Sequence, residues 1–260
     1  MLHAVSIETA VRRNAMLKLC RISIVGGILV VCLATRAAAK SNPDACKATT
    51  LHAFDSCKSG AHSDKSLASG KCDNVPDPAA RKACVQQAAS DLKDALQSCS
   101  DARDFRKAAC TRLGRDPYSP VIDPANFVAT IDNPFMTLTP GTTFIYEGQT
   151  AQGLEHNEIF VTHSTKVIDG VTCVEVLDTV KINGEPEEQT LDWFAQDTDG
   201  NVWYFGENSE ELAGGLVVSL GGSFQGGVDG AAPGIVMRAH PAVGDFYRQE
   251  FDLDNAEDLA

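Results

Sequence analysis

Basic side chains almost disappear from the C-terminal part of this sequence: residues 116–260 hold only Lys166, Lys181, Arg238 and Arg248 against 25 Asp and Glu, a net charge of −21. A surface of that sign repels phosphate backbones and anionic lipid, which excludes nucleic acid as a partner. Other absences narrow the chemistry. No C-x-x-C pair occurs, against a zinc cluster. No G-x-S-x-G occurs, so the serine-hydrolase elbow is missing. Glycines crowd the stretch from Gly214 to Gly234, but no Lys-Ser/Thr follows them as a phosphate loop requires. The main apolar run, Ile22 to Ala34, falls short of the ~20 residues a spanning helix needs, so no permanent membrane span is expected.

What surrounds that run has the layout of a secretory signal peptide. Arg12, Arg13, Lys18 and Arg21 precede it, and Ala37-Ala38-Ala39 supplies a small-residue cleavage site. Residues 1–39 are therefore expected to be removed, leaving a secreted or periplasmic protein. Arg12-Arg13 hints at twin-arginine export, although the residues after the pair fit the general secretory route better.

Residues 40–115 form a cysteine-rich region. Cys46, Cys57, Cys72, Cys84, Cys99 and Cys110 are separated by 11, 15, 12, 15 and 11 residues. Six cysteines in a short exported segment imply three disulfides. The stretch from Pro78 to Cys99 reads as a helix with Asp77 as N-cap and Pro78 at its first position. Steps of 11 keep Cys46 and Cys57 on one helical face. Two antiparallel helices would then bring Cys57 to Cys84 and Cys46 to Cys99, leaving Cys72 for Cys110, although six cysteines permit 15 connectivities. Apolar residues are sparse here, so the disulfides must supply what the core lacks.

Pro117, Pro120 and Pro124 mark residues 116–125 as an extended linker. Beyond it the hydrophobic period is close to two, predicting strands over 142–147, 158–168, 171–182, 188–196, 202–206, 216–224 and 246–251. Asn133-Pro134, Pro140-Gly141, Asp169-Gly170, Asn183-Gly184 and Asp199-Gly200 supply turns. The expected fold is α+β: a small disulfide-linked helical segment followed by a mainly antiparallel β meander over 126–260, as a curved sheet or open barrel.

Several motifs in this part act together: Asn126-Phe127-Val128, Asn133-Pro134-Phe135, Pro140 to Gly148, Asp192 to Glu207, Gly227 to Ile235 and Val243 to Glu250. With the cysteine region ending in Cys110-Thr111-Arg112-Leu113-Gly114, they resemble a family of uncharacterised secreted bacterial proteins. The resemblance covers most of residues 116–258 and implies no catalytic residues, because that family carries none that are established. It does imply further strands beyond Ala256-Glu257-Asp258, so the β domain is expected to be C-terminally incomplete.

The segment Asp192 to Glu207 contains both tryptophans and reads as one hairpin. A two- or four-residue loop would put Asp192, Phe194 and Gln196 on one face with Trp203, Phe205 and Glu207, whereas a three-residue loop with a bulge would swap the faces. Paired on one face, Asp192 and Glu207 would hold a divalent cation or act as an acid/base couple. Asp197, Asp199 and Asn201 match the opening of a calcium loop, but Val202 stands where its glycine belongs, so a hairpin turn is the better reading. Calcium is accordingly the only cofactor the sequence suggests. A second constellation gathers Asp229, Arg238, Tyr247 and Arg248 with Asp245 and His240. Cys173, flanked by valines, reads as a buried thiol.

Three functional classes follow. A non-catalytic binding or envelope-associated module fits the missing machinery best, with Asp192, Trp203, Tyr204, Glu207, Asp229, Arg238, Tyr247 and Arg248 contacting a small molecule, glycan or envelope protein. A carboxylate-dependent hydrolase and a structural interaction module are the alternatives.

Overall fold

The computed structural model describes residues 44–260. The expected signal peptide over 1–39 lies outside the described residues. Two long helices come first, α1 (Ala45–Asp73) and α2 (Pro78–Leu113). Asp44 caps α1 by accepting from the Lys47 amide at 3.0 Å. Asp77 caps α2 through the Ala80 amide at 2.7 Å, with Pro78 at the first position as the sequence predicts.

The disulfides join Cys46 to Cys110, Cys57 to Cys99 and Cys72 to Cys84, which corrects the expected pairing. The reason is geometric. Cys84 and Cys110 lie on one unbroken helix, separated by about 39 Å at 1.5 Å per residue. With the chain reversing at residues 74–77, Cys72 meets Cys84 and cannot span to Cys110. The palindromic spacing of the six cysteines was the signal, because equal steps on both sides of a hairpin place the bonds as nested rungs. Between the rungs the helices bury small residues, including Thr50, Ala53, Ala61, Ala88 and Ala109, while Leu67 and Phe105 stay exposed.

A short 3-10 turn (Pro124–Asn126) leads into the strands: β1 (Phe127–Val128), β2 (Asp132–Asn133), β3 (Met136–Thr137), β4 (Thr143–Gln149), β5 (Leu154–Ile168), β6 (Val171–Ile182), β7 (Glu185–Asp197), β8 (Val202–Ala213), β9 (Leu216–Ser219), β10 (Phe224–Gln225), β11 (Ala232–Met237) and β12 (Glu250–Phe251). Strands β4 to β8 follow one another as an antiparallel meander, and β11 then β12 extend it beyond β8. The sheet curls without closing, β4 and β12 remaining unpaired with each other, as the expectation of a curved sheet or open barrel has it. Asp169-Gly170 and Asn183-Gly184 make two-residue turns with positive φ at both positions. Several segments differ from expectation: the strand expected over 246–251 is strand only at Glu250–Phe251, and β1, β2 and β3 were not anticipated. The predicted strand over 216–224 is broken by a turn into β9 and β10, both of which pair with β8. Strand β11 was hidden by Pro233 and Gly234. A Cβ on Gly234 would stand 2.5 Å from the Arg248 carbonyl oxygen, so glycine is there for close backbone approach.

Each face of the sheet carries its own core. On one, Val161, Val174, Val176, Phe194 and Val202 pack beneath Ile131 and Leu138. On the other, Ile168, Val171, Cys173, Trp193, Ala195 and Phe205 pack against Ile122 and Phe127. The helical hairpin meets the C-terminal segment through Arg106, whose Nε donates to Glu257 at 2.8 Å, and Arg112, which lies 3.9 Å over the Phe246 ring.

Candidate ligand-binding site

The first face is roofed by the small β2–β3 hairpin. Asn133 is buried; its Oδ1 accepts from the Phe135 amide at 2.8 Å, folding the Pro134-Phe135 corner, and its Nδ2 donates to the Gly200 carbonyl at 2.8 Å. Gln196 of β7 fastens the hairpin to the sheet. Its Oε1 accepts from the Asp132 and Asn133 amides at 2.9 and 2.8 Å, while its Nε2 donates to Asp132 at 2.7 Å. The roof therefore rests on side-chain bonds to β7 as well as on Ile131 and Leu138 in the core.

Between this roof and β4–β7 lies a cavity of about 400 Å³. Phe135, Met136 and Leu138 line it from above; Phe144, Ile159, Val176 and Phe194 line it from the sheet, and Tyr146 stands at its edge. Its two ionisable floor groups are Asp178 and Asp192. Strand register explains their placement. Val176 pairs with Asp192 and Asp178 with Thr190, so the two aspartates are diagonal neighbours on one face.

Behind Asp192 the polar set continues. Its register partner across β7–β8 is Glu207, and the Tyr204 hydroxyl reaches both, bonding Asp192 and lying 3.1 Å from Glu207. Burial, opposed by the Tyr204 hydrogen bond and reinforced by the Glu207 charge, pushes Asp192 up to about 7. Glu207 is raised for the same leading reason, and so is the Tyr204 hydroxyl. Glu250 of β12 is buried beside them with no partner for its Oε2; burial and then Glu207 push it up to about 8. Asp178 is also raised by burial, although Asn157 Nδ2 donates to it at 2.7 Å. Among the described residues no Lys, Arg or His makes an ion pair with Asp178, Asp192, Glu207 or Glu250.

The hairpin that brings Asp192 to Glu207 does so differently from the expected route. The Asp197 amide donates to the Asn201 carbonyl, enclosing a three-residue loop, and Gly200 takes φ +90°. That loop swaps the faces, so Trp203 and Phe205 lie opposite Asp192 and pack with Trp193, correcting their expected grouping. A bulge then inserts Phe205 between the Phe194–Tyr204 and Trp193–Gly206 pairs, which returns Glu207 to the Asp192 face. Tyr204 shares that face, stacked on Phe194 at 4.8 Å.

The other sequence candidates serve different ends. Asp197 accepts from the Asn201 amide, the Asn201 side chain and Trp203 Nε1, each at 2.8 Å, so it organises the turn, and Asp199 is exposed. Among the described residues no group of three or more His, Cys, Asp or Glu is placed to hold a metal ion. Arg238 pairs with Asp245 at 3.2 Å and lies 4.4 Å over the Tyr247 ring, so three members of the second constellation meet. Arg248 turns instead toward Phe251 and Tyr118, and Asp229 sits exposed in a turn. Cys173 is fully buried, and burial pushes its thiol up to about 12. Sequence reasoning missed Asp178, Glu250 and the roof residues Asn133 and Phe135. Asn133-Pro134 was visible only as a turn, and Asp178 only as one residue in a strand. The three disulfides are those of an oxidising compartment, and none of the described helices is long and apolar enough to cross a membrane. No protein-family profile, curated protein or solved structure matches this chain.

Proposed function

We propose that this is an exported, non-catalytic binding protein whose β domain holds a small, largely apolar molecule between the β2–β3 roof and the sheet. The observation that carries this reading is the cavity of about 400 Å³, which has mostly apolar walls and a few convergent polar groups. Export is supported by the leader pattern over 1–39 together with the disulfide ladder. The hydrolase alternative draws on the Asp192–Glu207 pair. Only Asp192 of that pair borders the cavity, and Tyr204 engages both carboxyls, which favours binding over acid/base work on a bound substrate.

The test is titration of the oxidised protein with a neutral, environment-sensitive dye such as Nile red. Saturable binding is expected, weakened at least about tenfold by Ile159→Trp, which fills the cavity while keeping an apolar side chain. Dye uptake that does not saturate, or that Ile159→Trp leaves unchanged, would overturn the reading.

A further inference from the structure

The cavity floor has an unusual electrical composition. Asp178 on β6 and Asp192 on β7 face the same space as diagonal neighbours, at a separation on the order of 7 Å. The charged or titratable groups around Asp192 are Asp178 from β6, Glu188 from β7, Tyr204 and Glu207 from β8, and Glu250 from β12. All are acids, and none of the described basic side chains is paired with the carboxyls of the floor.

Each floor carboxyl has one side-chain donor, Asn157 for Asp178 and Tyr204 for Asp192. An ionised carboxylate accepts about four hydrogen bonds, so both keep free acceptor capacity on the cavity side. On the far side of Asp192, next to Glu207 and outside the cavity lining, Glu250 is 6% exposed and its Oε2 has no hydrogen-bond partner. Charged-state carboxylates in such surroundings need a cation that the chain does not supply.

We infer that the cavity selects ligands bearing a protonated amine at one end of an apolar body, with the ammonium between Asp178 and Asp192 and the body against Phe135, Met136, Leu138 and Ile159. The inference rests on the reading of the cavity as a ligand site. An ammonium with hydrogen bonds of about 2.8 Å to either side has the reach to touch both carboxyls. When the amine enters, a protonated Asp192 gives its proton to solvent, and the ligand's positive charge replaces it. No covalent bond changes. Affinity for the amine therefore rises with pH through the titration of Asp192 and falls again once the free amine loses its own proton.

Three probes of equal chain length separate the possibilities: decylamine, decanol and decanoate, each below its micellar concentration and each competed against Nile red on the whole oxidised protein. Decylamine is expected to bind at least about tenfold tighter than decanol, with decanoate weakest. The preference should grow between about pH 6 and about pH 8, with proton release detected by calorimetry in buffers of different ionisation enthalpy. Asp178→Asn and Asp192→Asn should lower decylamine affinity to the decanol level and leave decanol unchanged. The double variant Glu210→Gln/Glu211→Gln, away from the cavity, should alter neither. Equal binding of amine and alcohol by the native protein overturns the amine inference and leaves the cavity reading standing. Displacement of the dye by none of the three overturns both.

Discussion

Tyr204 and Glu207 are three residues apart on one strand, yet they present side chains to the same face and lie within hydrogen-bonding distance at 3.1 Å. In a regular strand an odd separation places side chains on opposite faces. The extra residue Phe205 removes that conflict: its ring enters the core on the far side, and the count restarts at Gly206. The acidic group behind the cavity thus depends on a one-residue insertion in β8.

Gly206 makes that insertion possible. Its φ is +153°, and a Cβ there would stand 2.5 Å from the Phe224 carbonyl oxygen, which belongs to the strand paired alongside. Gly206→Ala therefore requires backbone movement at both strands. The expected loss is about 2–4 kcal/mol in urea unfolding. A loss under about 0.5 kcal/mol would mean that the bulge relaxes freely.

Stability should fall as pH rises from weakly acidic to weakly basic. Glu250 and Asp192 have folded-state values of about 8 and about 7, above their ordinary carboxylate values. Between the ordinary and the raised value the folded state holds protons that the unfolded chain has released, so the stability present at low pH is progressively lost. For Glu250 the loss runs from about pH 4.5 and is complete above about pH 8. Glu250→Gln should flatten this slope. Its stability relative to the native protein should improve by about 2–4 kcal/mol on going from about pH 5 to about pH 9, read as a difference between the two conditions. Parallel curves for both proteins would show that Glu250 titrates as it does in water.

How much of this was legible in the sequence differs from element to element, for physical reasons. Asp169-Gly170 and Asn183-Gly184 announced their turns because positive φ is demanding and few residue pairs satisfy it. The meander followed from those turns and the period-two strands between them. The proximity of Asp192 and Glu207 was legible, but through a face assignment that failed twice and cancelled: the loop was one residue different from expectation, and the bulge restored the parity. Nothing in Tyr204-Phe205-Gly206 marks which residue is extra. Glu250 was invisible as a buried group because glutamate is ordinarily solvated, and only the packing of β12 encloses it. Trp203 looked like a contact residue, yet its indole nitrogen is committed to Asp197.

The helical hairpin should behave as a disulfide ladder. Non-reducing digestion is expected to release peptides linking Cys46 to Cys110, Cys57 to Cys99 and Cys72 to Cys84, and no other pairs. Because the bonds are nested, each is backed by a neighbouring rung. Replacing both Cys57 and Cys99 with serine should therefore cost only about 2–3 kcal/mol and leave helical circular dichroism intact. Full reduction removes every rung from helices that bury chiefly alanine and threonine, and most of the helical signal should go with it. Helicity that survives reduction unchanged would show that side-chain packing alone sustains the hairpin.

Gln196 offers the sharpest separation between the roof and the sheet. It lies on β7 with its backbone paired to β8 and β1, so Gln196→Ala leaves the ladder hydrogen bonds in place. What it removes is the acceptor for the Asp132 and Asn133 amides and the donor to the Asp132 side chain. The buried Asn133 amide then has to open to water or remain unsatisfied, at a cost of about 1–3 kcal/mol. Opening lifts Pro134 and Phe135 from the sheet and enlarges the mouth of the cavity. The variant is expected to lose about 2 kcal/mol of stability. It should also lose most of its dye affinity while retaining the β-sheet circular dichroism of the native protein. Unchanged dye binding in a destabilised Gln196→Ala protein would place the ligand outside the space beneath Phe135. Unchanged stability would mean that Ile131 and Leu138 hold the roof without it.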